Sequence, residues 1–475
     1  MDTGRLADLS QGKPSRYHLR WLLLILLLAV GVRVGALVAA SDARLVLDER
    51  SYVKRAEALL DGQGFVGSYQ TLVRHPVPAH LSDLPQYPGA LQPPGYVVFL
   101  AGVMALTGRS ILAVKIAQVL LGTAAVGLVY ALGANWFDRR RGLVAAAICA
   151  LYPNLIAFTH YLWSETLFIV LLLAVIWLLT RRTAAPTILS ALVAGTVLGY
   201  AACTRAGIVY FLPLLILWMV IGFRPVRRRN LVAAAALLVG LVEVIGVWSL
   251  RNYRVHGGFV LIDTNGPLNL WRGNAPGAFA DRSAERSYDP PFASIPISPV
   301  GTHTARTLVN QAKDILQDDQ PTDLEIAAVA KRLAWEHIRS DPIAFGRRAW
   351  FKTIDMWNPT SFLVRHFKFQ AYGPVSPAIE SAICVAAMVG YVMVMLAGAV
   401  GGFVARRDPR VWLVFSLVFY YGAIHAVVFG LTRFRLPLMP LIILLAAHAL
   451  CLLWPRLGRG PAARGCAAEK LDAAR

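Results

Sequence analysis

The chain returns again and again to apolar runs of membrane-spanning length, and that recurrence limits its fold more than any other feature. A helix needs about 20 predominantly apolar residues to cross a hydrocarbon core of about 30 Å, and within that core every backbone polar group must be paired inside the chain. Runs of this kind begin at Trp21 and recur as far as Trp454. With 57% hydrophobic and 16% charged residues among 475, the chain lies far to the apolar side of a soluble domain. It is expected to be an all-α polytopic membrane protein. A formal charge of +20 would suggest nucleic acid for a soluble protein. Here the arginines cluster in short links between apolar runs, the pattern of cytoplasmic membrane anchors, which argues against a nucleic-acid partner. The five cysteines are scattered and give neither a disulfide framework nor a metal-ligand spacing.

Ten spans are expected, near 21–40, 111–134, 142–160, 165–180, 186–203, 206–222, 231–249, 381–404, 411–430 and 436–454. The first is read as a retained helix rather than a cleaved signal, because Val32, Val34 and Leu37 carry its apolar run onward. Pro93, Pro94 and Gly95 introduce a shorter run at 96–106, better suited to a re-entrant or juxtamembrane helix than to a crossing. Charge supports this: if 96–106 does not cross, Arg139 to Arg141, Arg181, Arg182 and Arg227 to Arg229 all fall in the cytoplasm. The chain then divides into a membrane catalytic module at 1–250 with an external first loop at 41–110, an external partly helical lobe at 251–380, C-terminal spans at 381–455, and a cytoplasmic tail at 456–475. In the first loop Tyr52 to Leu60 has helical spacing, and His75, Pro76, Pro78, His80, Pro85 and Pro88 mark a loop; in the lobe Ala328 to His337 and Ala344 to Trp357 have helical character.

This topology brings charges distant in sequence to one external depth. Asp48 and Glu49 follow the first span, Glu165 and Arg205 stand at span ends, Arg251 and Arg254 close the span before the lobe, and His425, Arg433 and Arg435 approach the same face. Ionisable groups at membrane depth need a hydrated cavity, a partner or a function. Carboxylates beside arginines suit transfer from a phosphate leaving group: a carboxylate deprotonates the acceptor while cations take up charge on the phosphate. Each residue also has a plainer reading, as helix cap, salt-bridge partner or snorkelling anchor. Asp48 and Glu165, hard oxygen ligands, are also the candidate holders of magnesium or manganese; no organic cofactor is expected.

The ordered motifs resemble the membrane glycosyltransferases of the GT-C fold, in particular the bacterial aminoarabinose-transferase and protein-mannosyltransferase superfamily. They are Asp48, Glu49 and Tyr52; Gln92, Pro93, Pro94 and Gly95; Tyr152 and Pro153, then Ser164 to Leu167; Thr204 and Arg205; Arg251 to Tyr253, then Thr264 to Gly266; and His425, Phe429, Gly430 and Arg433 to Pro437. The resemblance implies an inverting transferase that takes a sugar from a polyprenyl-phosphate donor on the external face of a bacterial inner membrane and passes it to an envelope lipid, glycan or protein. It assigns Asp48 as the acceptor-activating base and Glu165 as the second acidic residue, with Glu49, Tyr52, Gln92, Arg205, Arg251, Arg254, His425, Arg433 and Arg435 as substrate-binding candidates. Gln92 departs from the aminoarabinose transferases, which carry a lysine before the proline pair. The alternatives are a lipid or lipid-linked-sugar transporter, and an O-antigen ligase or polysaccharide polymerase.

Overall fold

A computed structural model describes residues 16–40, 44–46, 48–74, 87–181, 186–222, 228–275, 305–368, 371–428 and 430–457. The helices run Arg16–Ala39 (α1), Asp48–Leu60 (α2), Gln70–Arg74 (α3), Gly95–Leu106 (α4), Ile111–Trp136 (α5), Arg139–Leu151 (α6), Pro153–Ala157 (α7), Glu165–Thr180 (α8) and Ile188–Thr204 (α9). A 3₁₀ turn, Ala206–Phe211, leads into Leu212–Ile221 (α10), followed by Arg228–His256 (α11), Asn265–Asn274 (α12), Ala305–Leu316 (α13), Asp323–Ser340 (α14), Pro342–Trp357 (α15) and Leu363–Lys368 (α16). Pro377–Val404 (α17) and Pro409–Val427 (α18) come next, and a second 3₁₀ turn, Thr432–Leu438, opens Met439–Leu457 (α19). Strand pairing among the described residues is confined to one antiparallel bridge between Val66 and Pro88.

The expected helices at Tyr52 to Leu60, in the lobe and at most spans are present, but the ten spans are not ten long helices. Among the described residues six segments are long and apolar enough to cross a membrane: α1, α5, α11, α17, α18 and Thr432–Leu453. The segments Gly95–Leu106, Glu165–Thr180, Ile188–Thr204 and Ala206–Ile221 are apolar but shorter; α8, with 16 residues, is about 24 Å long at 1.5 Å per residue. The expected span at 142–160 is broken. Tyr152 is extended and Pro153 starts α7, because proline has no N–H to continue the ladder and its ring clashes with the carbonyl four residues back. Arg33, buried in α1, donates from Nη1 to the Ala150 and Ala29 carbonyls and thereby pairs a carbonyl at the broken end of α6. Arg182, Arg227, Phe429, residues 75–86 of the expected loop and residues 458–475 of the expected tail lie outside the described residues, whereas Pro88 at the end of that loop is paired in the bridge.

Small residues let the helices approach closely, as lipid-embedded packing requires. A Cβ at Gly195 of α9 would stand 2.0 Å from the Leu237 carbonyl oxygen of α11, and one at Gly240 of α11 would stand 2.3 Å from that of Leu192. Arginines gather at the end of the bundle remote from Glu165: Arg410 donates to the Asn135 and Trp136 carbonyls at 3.1 and 3.0 Å, and Asn135 donates to the Arg181 carbonyl at 2.9 Å. At the opposite end the lobe has its own core, with Leu268, Trp271, Leu308, Val309 and Ile326 buried against Tyr69 and Val73 of the first loop. Ser68 donates to Asp323 Oδ1 at 2.7 Å and Tyr69 to the Thr264 carbonyl at 3.2 Å, so first loop and lobe are one packed unit.

Candidate active site

Asp48 and Glu165 each occupy the first turn of a helix, α2 and α8, where the positive end of the backbone dipole favours a carboxylate. Arg205 and Arg433 stand at the two places where the backbone passes through extended geometry into a 3₁₀ turn: Arg205 is itself extended (φ −144°, ψ 98°), and Leu431 is extended (φ −136°, ψ 148°) before Thr432. Pro213 and Pro437 follow at these junctions. The breaks therefore carry the cations inward.

The four side chains form a chain of charges. Arg433 Nη1 donates to Asp48 Oδ2 at 2.8 Å, and Arg433 Nε lies 3.8 Å from Glu165 Oε1. Arg205 Nη1 lies 2.7 Å from the same Glu165 oxygen and 3.4 Å from Ser164 Oγ. Aromatic faces support the cations: Arg433 lies 4.9 Å from the Trp163 ring centre and Arg205 5.7 Å from that of Phe434. The carboxylates differ in access, since the Asp48 side chain is 42% exposed and that of Glu165 2%. Asp48 can meet a ligand; Glu165 holds the arginines.

Burial acts to raise the Asp48 pKa, but the field and hydrogen bond of Arg433, with the fields of Arg365 and Arg55, hold it below the ordinary carboxylate value. Arg272 also lies within the field of Asp48. Five guanidiniums (Arg55, Arg205, Arg272, Arg365, Arg433) thus act on Asp48 or Glu165, and even with Glu49 also in the field of Asp48 they outnumber the carboxylates. Arg55, Arg272 and Arg365 are not among the site residues expected from the sequence. A signal exists for Arg55, because positions 48, 52 and 55 share one helical face; Arg272 and Arg365 sit on lobe helices whose folding back to the site no local pattern announces.

Residues 91–249, about a third of the chain, match the dolichyl-phosphate-mannose-protein mannosyltransferase family. No curated protein sequence matches the chain. The apo oligosaccharyltransferase of Archaeoglobus fulgidus superposes with a TM-score of 0.54 at 12% identity, covering 94% of this chain and 51% of that one. The same archaeal enzyme tethered to an acceptor peptide gives 0.52 at 12% identity, covering 94% and 50%, and its complex with an inhibitory peptide and a dolichol-phosphate gives 0.50 at 11% identity, covering 93% and 51%. At 11–12% identity this likeness shows the fold: the chain shares the fold of the archaeal oligosaccharyltransferase, consistent with the expected GT-C fold. It spans about half the length of the archaeal enzyme.

The other expected site residues fall into two groups. Tyr52 joins the cluster, hydrogen-bonded to Ser164 and within the fields of Asp48 and Glu165; burial, followed by those two carboxylates, raises its pKa. His425 lies beside it, with Nδ1 2.9 Å from the Tyr421 carbonyl oxygen and its ring 4.5 Å from Phe434.

The remaining candidates stand apart from the cluster. Glu49 accepts from the Val46 and Leu162 amides at 2.8 and 2.9 Å, so it ties α2 to the turn ahead of Glu165. Its burial outweighs those bonds and the field of Lys115, and raises its pKa. Gln118 holds that turn from the other side, donating to the Tyr161 carbonyl at 2.8 Å. Arg251 donates to the Gly89 and Phe65 carbonyls at 2.7 and 2.9 Å and clamps the first loop. Arg435 donates to the Met356, Asn358 and Thr360 carbonyls and lies 3.7 Å from the Tyr391 ring centre. Arg254 is exposed. Gln92 Oε1 is buried with no hydrogen-bond partner among the described residues, beside Leu91, whose amide donates to the Gly67 carbonyl at 3.0 Å.

Proposed function

We propose that this protein transfers a sugar from a polyprenyl-phosphate-linked donor to an envelope lipid, glycan or protein, at the external face of a bacterial inner membrane, with inversion at the anomeric carbon. The observation that carries this reading is the half-exposed Asp48 carboxylate, ion-paired to Arg433 within an excess of guanidiniums. Such a site offers a base to one reactant and a cationic cradle to the leaving group of the other. The dolichol-phosphate named for the archaeal neighbour supports a lipid-phosphate donor. The gathering of Arg141, Arg181 and Arg410 at the far end of the bundle supports the external placement, because cationic links favour the cytoplasm.

In this mechanism an acceptor hydroxyl oxygen attacks the anomeric carbon from the face opposite the phosphate. The new carbon–oxygen bond forms as the bond to the phosphate oxygen breaks, the electron pair leaves with polyprenyl phosphate, and the acceptor proton passes to Asp48. Arg433 and its neighbours neutralise the departing phosphate. No strong general acid is needed, since a phosphate is already a stable anion.

A transporter would place its polar groups near the membrane midplane on paired broken helices; here Asp48 lies within the fields of the lobe arginines Arg272 and Arg365, at the end of the bundle opposite Arg181 and Arg410. The test supplies purified protein with radiolabelled polyprenyl-phosphate sugars and fractionated envelope acceptors. Label is expected to reach an acceptor with wild type and not with folded Asp48→Asn. Full transfer by the folded variant overturns the base assignment, and ATP-independent movement of intact donor across vesicles without transfer favours the transporter.

A further inference from the structure

We infer that Arg433 is the resident cation of the two-carboxylate centre and occupies the place where a divalent metal would otherwise bridge Asp48 and Glu165. The inference deepens the transferase reading and rests on its choice of these carboxylates as the reaction centre.

Two acidic side chains converging on one point attract a cation, and a metal and a guanidinium compete for that place. One guanidinium here spans both: Nη1 is 2.8 Å from Asp48 Oδ2 and Nε is 3.8 Å from Glu165 Oε1. Arg205 claims the same Glu165 oxygen at 2.7 Å. A metal ligated by that oxygen would stand about 2.0–2.6 Å from it, inside the space the two guanidiniums fill, and repelled by their charge. The donor set is also short. Among the described residues no three His, Cys, Asp or Glu side chains converge. The nearby histidine, His425, turns Nδ1 to the Tyr421 carbonyl and packs its ring on Phe434.

The packing fixes the guanidinium rather than merely admitting it. Arg433 lies over the Trp163 ring at 4.9 Å, with Phe434 and Phe362 at 5.3 and 5.9 Å. A planar cation suits aromatic walls of this kind. The arrangement also orders the work of the guanidinium. Nη1 is hydrogen-bonded to Asp48, whereas Nε is buried at 3.8 Å from Glu165 Oε1 without a hydrogen-bond partner, a donor free for an anionic leaving group. The resident cation would then bind the departing phosphate directly, and the transfer proceeds without a divalent ion.

The test is a manganese titration of the purified, chelator-stripped full chain in detergent, with free Mn²⁺ read by electron paramagnetic resonance. Wild type is expected to bind no Mn²⁺ that depends on Asp48. Arg433→His, which removes the guanidinium and supplies a third ligand, is expected to bind one Mn²⁺ per chain and to lose it when combined with Glu165→Gln. One Mn²⁺ bound by wild type and lost in Asp48→Asn overturns the inference, as does a folded Arg433→His chain that binds none. Should Arg433→His fail to fold, wild type and Asp48→Asn decide the matter alone. As a second readout, wild-type transfer is expected to change less than twofold in excess chelator; a tenfold loss restored by manganese overturns the inference. The titration needs no donor, so it remains decisive even if no transfer is found.

Discussion

Arg433 and Arg435 lie two residues apart in one 3₁₀ turn and line one small cavity with Tyr152, Asn154 and Phe362, yet they belong to different kinds of region. Around Arg433 the partners are carboxylates, and one of them, Asp48, is 42% exposed. Around Arg435 they are backbone carbonyls of the segment Met356 to Thr360, closed off by Tyr391. A guanidinium bound to carbonyls stitches chain segments together, because buried carbonyl oxygens need a donor. One bound to carboxylates near an opening can exchange an internal anion for an external one. The Arg251 clamp on Gly89 and Phe65 is of the Arg435 kind, so membership of a family motif does not by itself make an arginine a ligand-binding residue.

This contrast breaks most sharply at Asp48. Asp48→Asn is expected to lower transfer by about a thousandfold, within the range for loss of a general base, while the melting temperature in detergent stays within a few degrees. A similar rate with folded variant protein would move the base elsewhere. Arg55→Met is expected to be milder, raising the donor KM roughly tenfold for one lost charge-assisted contact with kcat changed less; a loss confined to kcat would assign Arg55 to the chemistry.

Acidity sharpens the same comparison between the cluster and the lobe. The Asp48 pKa is depressed, so its ion pair contributes stability above the ordinary unfolded carboxylate value and loses it only as pH falls through the lower folded value. Asp263, at the entry to α12, is pushed by burial to about 6 despite accepting from the Gly266 and Asn265 amides. It therefore takes up a proton first, and the fold gains stability from it as pH falls from above 6 toward 4. Nuclear magnetic resonance of labelled aspartate carboxyls is expected to show Asp263 titrating near pH 6 and Asp48 titrating below the ordinary carboxylate range. The smallest effect is expected at exposed Arg254, where Arg254→Ala should change neither rate nor melting temperature measurably, as at a surface site without a buried role.

The apolar runs made most of the bundle legible, because burial in lipid leaves helices as the available spanning form. The break at Tyr152 and Pro153 was hidden within an apolar run that hydropathy reads as continuous, and the carbonyl end it creates is met by Arg33 from another helix. Convergence of Asp48, Glu165, Arg205 and Arg433 was readable from depth alone. Partner identity was not: whether an arginine faces a carboxylate or a carbonyl depends on which loop folds over it, as Arg251 and Arg435 illustrate. Arg272 and Arg365 reach the site only through the lobe, whose contacts with Tyr69 and Ser68 lie far away in sequence.

The most direct measurement compares Arg433→Gln with Arg435→Gln in parallel, recording the initial transfer rate per folded molecule and the melting temperature. Arg433→Gln is expected to keep its melting temperature and to lose transfer by about a hundredfold or more. Arg435→Gln is expected to be destabilised by on the order of 3 kcal/mol through stranded buried carbonyls, while each folded molecule transfers at close to the wild-type rate. The opposite assignment, with Arg433→Gln active and unstable and Arg435→Gln stable and inactive, would contradict the division of roles between the two arginines.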